Sequence, residues 1–101
     1  MILTGKAKEE FFNWLDNQGV NGIDISNWEF EKFHLLSNVS QNSLIIEWFD
    51  SVEIHVNAVR YSGEFWKGIA EHERTEIHLS RQEAITEAIK KANEIYNSKY
   101  Q

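Results

Sequence analysis

The chain has no cysteine, no proline, only five glycines in 101 residues and no long apolar run. Without cysteine there can be no disulfide, no thiolate metal ligand and no cysteine nucleophile. The glycines stand at 5, 19, 22, 63 and 68, a scatter from which neither a phosphate-binding loop nor a dinucleotide fingerprint can be written. No apolar stretch approaches the roughly 20 residues that a membrane-spanning helix needs. The opening Met-Ile-Leu-Thr-Gly-Lys lacks the basic segment and apolar stretch of a secretory signal, so a cytoplasmic location and no membrane partner are expected. An excess of basic residues is also lacking: the net charge is −6.

What is present is a folding composition. The chain is 42% hydrophobic and 13% aromatic, with four Trp, six Phe and three Tyr. That is enough apolar surface for one globular domain over residues 1–101. The charge is unevenly spread. Residues 1–57 hold nine carboxylates against three lysines, so the whole net charge lies there, and residues 58–101 balance seven against seven. Direct nucleic-acid binding, which needs a basic stripe to neutralise phosphates, is not expected. The acidic half either keeps a small domain soluble or attracts a basic partner surface, such as that of a protein that grips nucleic acid.

Periodicity marks the elements. Ala7, Phe11, Trp14 and Leu15 recur at helical spacing, predicting a helix over residues 4–17 with Thr4 as its cap and Gly19 and Gly22 as its stop. Ile23, Ile25, Trp28, Phe30, Phe33, Leu35 and Leu36 make residues 23–39 too apolar for a free linker, so this segment is expected to pack on the remainder. Ile45, Trp48, Phe49 and Val52 form a helical stripe, which favours a helix over 40–50 with Ser40 or Asn38 as its cap, although the run Leu44-Ile45-Ile46 also suits a buried strand. Val52, Ile54, Val56 and Ala58 alternate with polar residues, the mark of a half-buried strand over 52–58. A turn at Ser62-Gly63 returns the chain as a second strand over 64–70, a polar loop follows over 71–75, and 76–79 can add a short third strand. Ser80-Arg81-Gln82-Glu83 is a capping box, with Leu79 and Ala84 at the staple positions. The apolar stripe from Ala84 to Tyr96 makes a final helix, with Glu87 and Lys91 spaced as an ion pair. The fold class is therefore α+β: a helix, a second helix, an antiparallel hairpin or three-stranded sheet, and a last helix, with the helices on one face of the sheet.

Chemistry is sparse. His72-Glu73-Arg74-Thr75-Glu76 nearly spells a zinc-binding H-E-x-x-H, but Glu76 holds the place of the second histidine. No serine lies in a nucleophile-elbow or S-x-x-K context. Adjacent carboxylates such as Glu9 and Glu10 are those of a solvated surface. No catalytic residue, metal site or cofactor is expected. A small enzyme built on His55, His72 or His78 is the contrary reading.

The aromatics carry the remaining information. Phe65 and Trp66 are adjacent in a predicted strand, so they face opposite sides. If Trp66 is the outer one, it stands beside Arg60, Tyr61 and Lys67 as a contact hot spot; otherwise it packs beneath a flanking loop. The candidate partner-binding residues are Glu29, Glu31, Glu47, Glu53, Tyr61 and Trp66.

Three segments, LTGKAKEEFFNWL (residues 3–15), EWFDSVEIHV (47–56) and RQEAITEAIKKANEIYN (81–97), resemble a family of short, uncharacterised bacteriophage and prophage proteins. The resemblance implies a phage accessory role inside a bacterial cell. The expected function is a small acidic interaction protein that binds a host protein, for instance one with a basic nucleic-acid-binding surface, and inhibits it as anti-defence proteins do. The alternative is an accessory binding domain without inhibitory role.

Overall fold

The computed structural model describes residues 2–18 and 33–100. Helix α1 (Gly5–Gln18) is followed, within the described residues, by a single 3₁₀ turn (Phe33–Leu35), helix α2 (Asn38–Ser51), strands β1 (Val56–Ser62), β2 (Phe65–Ala70) and β3 (Glu73–His78), and helix α3 (Arg81–Lys99). The strands form an antiparallel meander in the order β1-β2-β3. Helix α3 lies on all three strands, while α1 and α2 rest against α3 and against each other. The α+β class follows the periodicity. The placement of α1 does not: it packs mainly on the two other helices, and α3 is the helix that covers the sheet.

Helix α2 resolves the helix-or-strand ambiguity of residues 44–49 in favour of a helix. Its cap is Ser37, upstream of the expected Ser40 or Asn38, with the Ser37 hydroxyl accepting the Ser40 N–H at 3.2 Å. Ile45, Trp48 and Phe49 are buried along one stripe. The helix runs on to Ser51, so the strand expected at 52 begins only at Val56. Glu53 makes the change of direction in the left-handed region, at φ 63°. The alternation of buried Ile54, Val56 and Ala58 with exposed neighbours nevertheless holds, because burial parity starts before the hydrogen-bonded ladder does.

Other expectations shift in detail. The first hairpin turns at Gly63-Glu64, Gly63 taking a positive φ of 55° that only glycine adopts without strain. The loop expected over 71–75 shrinks to Glu71-His72, and β3 starts at Glu73. Ser80 caps α3, its hydroxyl accepting the Glu83 N–H at 3.1 Å, but Leu79 is 70% exposed and closes no staple. Glu87 pairs with Lys90 at 3.1 Å instead of Lys91. The expected packing of Ile23, Ile25, Trp28 and Phe30, and the stop at Gly19 and Gly22, lie outside the described residues.

The core is an aromatic chain through the helices. Phe11 of α1 meets Phe33 at 5.3 Å and Trp48 of α2 at 5.9 Å between ring centroids, and Trp48 meets Tyr96 of α3 at 5.0 Å. Phe11, Phe33, Trp48 and Phe49 are at most 2% exposed. Each such side chain stabilises the fold by roughly 1.5–3 kcal/mol, so this cluster, more than any hydrogen bond, holds α1 against the remainder. Small residues do the opposite job beneath α3. Ala84, Ala88 and Ala92 are fully buried, and opposite the first two lies Gly68 of β2, where a Cβ would overlap the Ala84 carbonyl oxygen. Helix and sheet therefore approach more closely than larger side chains would permit.

Candidate interaction surface

Close packing at Gly68 fixes which sheet face is inner. Gly68 faces α3, so Trp66 and Ala70 share its side and Phe65, Lys67 and Ile69 point away. In β1, Arg60 is paired with Trp66 and Val59 with Lys67; Tyr61 is the extra residue where the register shifts before Ser62 pairs with Phe65. In β3, Ile77 is paired with Lys67 and His78 with Trp66.

Phe65 and Trp66 do face opposite sides, and Trp66 is the inner one. It is half-buried against the core, with Arg60 Cζ 5.2 Å and Arg81 Cζ 6.0 Å from its ring centroid. The outer aromatic is Phe65, 43% exposed, accompanied by Tyr61 at 55% and Ile77 at 46%. Lys67 Nζ lies 4.5 Å from the Tyr61 ring centroid, which places that ring on the outer face too. Exposed apolar side chains scattered singly are ordinary; three grouped on one sheet face are informative. The structure thus brings Tyr61 and Trp66 to the same hairpin end, but on opposite faces.

The acidic candidates are separate from this end in sequence and element. Glu47 is exposed on α2 and Glu53 is exposed in the turn after it. Glu29 and Glu31 lie outside the described residues. Phe65, Ile77 and Arg81 had no place among the sequence candidates. Strand parity offered Phe65 as the alternative to Trp66, whereas Ile77 required the β2–β3 register and Arg81 the packing of α3 on the sheet.

A second feature lies between α2 and α3. A cleft of about 600 Å³ is lined by Asn38, Asn42, Thr86 and Lys90 among others, and a smaller one of about 400 Å³ shares Asn38, Asn42 and Thr86 with it and reaches His78. Asn42 is buried and its amide donates to Thr86 Oγ1 at 3.3 Å. Among the described residues, the His78 Nε2 atom is buried with no hydrogen-bond partner. His55 is exposed before β1 and His72 is exposed in the β2–β3 turn. Among the described residues, no three histidine or carboxylate side chains are grouped to hold a metal ion, and no helix is long and apolar enough to cross a membrane.

Compared with known protein families, with curated proteins and with solved structures, the chain finds no match.

Proposed function

We propose that the chain is a protein-binding module that works by contact through the outer face of its sheet. The observation that carries this reading is the grouping of exposed Tyr61, Phe65 and Ile77 on one face. Aromatic anchors of this kind supply large contact area at small cost in side-chain entropy, and they dominate interface energetics. In its specific form the module is a phage product that inhibits a host nucleic-acid-handling protein. That form requires in addition that exposed carboxylates such as Glu47 and Glu53 steer the encounter with a basic surface.

Site-specific crosslinking tests the reading. A photoreactive residue at Phe65 or Ile77, installed in cells making the chain, is expected to trap a discrete protein that the same residue at exposed Asn13 of α1 does not. Tyr61→Ser should weaken that product. Equal products from all three positions, or none from the sheet positions, would remove the reading.

One observation favours a second reading, a site for a small polar ligand in the α2–α3 cleft: the unpartnered His78 Nε2 beside buried Asn42. A metabolite screen by thermal shift, repeated on His78→Ala, discriminates it from the first.

A further inference from the structure

The cations at the hairpin end are arranged unlike several of those elsewhere in the chain. Lys6 and Lys90 sit against Glu10 and Glu87 at 3.2 and 3.1 Å. Arg60, Arg81 and Lys67 instead lie over the rings of Trp66 and Tyr61, and none of the three has an ion pair with a carboxylate among the described residues. A cation over a ring satisfies the ring's electron-rich face but leaves its N–H donors to solvent, since an aromatic face offers them no lone pair. Arginine keeps five such donors in a planar fork suited to carboxylates.

Two features make the pair on Trp66 a receptor and not two independent surface charges. The ring is packed against the core, so it is a fixed platform, with the Arg60 and Arg81 guanidinium carbons 5.2 and 6.0 Å from its centroid. Like charges drawn to one ring also repel each other, and an anion set between them relieves that repulsion. This happens in a chain whose net charge is −6, so the cluster is a local reversal of sign. Around the end of the same hairpin, Tyr61 and Phe65 present apolar surface.

We infer that the β1–β2 hairpin end captures an acidic segment of a partner protein that passes round it: carboxylates take the free donors of Arg60 and Arg81 on the α3 side, and an apolar side chain further along the segment lies on Tyr61 and Phe65 of the outer face. The inference rests on the protein-binding reading alone and gives it an acidic partner segment, in place of the basic surface that the host-inhibitor form requires. A nucleic acid would also offer anions, but it brings phosphates along its whole length. Binding of that kind grows with the number of cations in register. Three cations, with Glu64 in the turn between the strands and excess carboxylate in the N-terminal half, suit a short anionic feature.

Charge at an exposed rim governs encounter and specificity, and apolar anchors govern residence. The two contributions can therefore be read separately. The probe is an acetylated, amidated peptide, Glu-Glu-Leu-Tyr-Glu-Glu, titrated into the ¹⁵N-labelled full chain. The comparison probes are the same peptide with every Glu replaced by Gln, and a short oligo-thymidylate. The acidic peptide should shift the Arg60 and Arg81 Nε–H and the Trp66 indole N–H resonances. Its affinity should fall roughly tenfold or more in the Arg60→Gln/Arg81→Gln double variant and fall with added salt. Phe65→Ser should lower it without changing the salt dependence. Arg60→Lys/Arg81→Lys, which keeps the charge but loses the fork, should fall in between, while an unchanged far-ultraviolet spectrum establishes that each variant is folded.

Equal binding of the Gln peptide, shifts confined to other residues, or tighter binding of the oligonucleotide would each overturn the inference. So would self-association of the chain that the double Gln variant abolishes, since the occupant would then be a second copy. Crosslinking at Phe65 that survives the Arg60→Gln/Arg81→Gln change and added salt would remove the acidic partner while leaving the protein-binding reading in place. Its absence in the unaltered chain would remove both.

Discussion

The Thr75 hydroxyl accepts the Gly68 N–H at 2.8 Å and donates to the Glu76 carbonyl at 2.8 Å, replacing a rung of the sheet by a side chain. The register explains why. Lys67 is paired with Ile77 and Ile69 with Arg74, so Thr75 and Glu76 of β3 together oppose Gly68 of β2. Such a bulge leaves a backbone group without its ordinary partner, and here that group is buried beneath α3.

Thr75→Val keeps the shape and removes the acceptor. The Gly68 N–H is then buried and unpaired, and the domain should lose about 1–3 kcal/mol. Thr75→Ser retains the hydroxyl and should lose only about the 0.8 kcal/mol of a methyl group. Urea denaturation of the two variants checks the order. A valine variant as stable as the serine one would show that the Gly68 amide finds another partner.

Gly68→Ala should be more damaging than its single methyl implies. The new Cβ would overlap the Ala84 carbonyl oxygen and lie 2.9 Å from Ala88 Cβ and 3.0 Å from Thr75 Cγ2. The first neighbour is backbone and cannot rotate aside, so α3 must retreat from the sheet. Overpacking of this kind costs about 1–3 kcal/mol or more. Adding Ala88→Gly relieves only the second contact and should not restore the denaturation midpoint. Full restoration would place the strain at Ala88.

Legibility of this fold from its sequence followed the range of the interactions involved. Helical stripes and strand alternation report on burial along one element, and they located all three helices and the sheet to within a few residues. The start of β1 was placed too early because Glu53, a residue with no special preference for it, takes a left-handed turn before the strand begins; nothing local distinguishes Glu53 from an exposed strand position. Of the candidate residues, Tyr61 and Trp66 were legible as belonging to one hairpin end, since both flank a recognisable turn, but not as lying on its opposite faces. Which of Phe65 and Trp66 faces outward depends on the face that α3 covers. Arg81 joins them only through tertiary packing, and local sequence carries no trace of that.

Rising pH should weaken the fold above the ordinary tyrosine range. Burial raises the Tyr96 hydroxyl above its usual value of 10.0, with the charge of Glu10 adding to the effect. Lys6 is raised above 10.5 by its hydrogen bond to Glu10 and by the charges of Glu9 and Glu10. In both cases the folded state holds its proton more tightly than the unfolded state. Their contribution is present below the unfolded values and is lost as pH climbs through the folded ones. The urea midpoint should therefore begin to fall at about pH 10 and go on falling as the pH rises further. Tyr96→Phe should flatten that fall, with Lys6→Gln removing the smaller, solvent-screened share. A slope unchanged in Tyr96→Phe would assign the titration to other groups.

The N-terminus of α1 is capped from the far end of the chain. Thr4 stands at the cap position, yet its hydroxyl accepts from the Asn93 amide at 3.0 Å, and the first-turn amide of Ala7 goes to Asn97 Oδ1 at 2.8 Å. Asn97 Nδ2 donates to the Thr4 carbonyl at 2.9 Å, and the Thr4 N–H donates to Asn93 Oδ1 at 3.0 Å. Asn93 and Asn97 stand one helical turn apart on α3 and grip a single residue of α1's entry. Asn97→Ala removes both a cap and a tie, and should cost about 0.5–2 kcal/mol, the range for loss of an N-cap. Asn97→Asp keeps an acceptor, with charge favourable to the helix N-terminus, but turns a carboxylate oxygen toward the Thr4 carbonyl; it should fall between alanine and the parent. Because the two asparagines share Thr4, Asn93→Ala and Asn97→Ala should not be additive, with a coupling of about 0.5 kcal/mol or more. Amide hydrogen exchange gives the local readout: protection of Ala7 should drop in Asn97→Ala well before that of Leu15, which lies at the other end of the helix. Strict additivity with Ala7 protection unchanged would mean that α1 starts independently of α3, held by the aromatic contacts of Phe11 with Phe33 and Trp48.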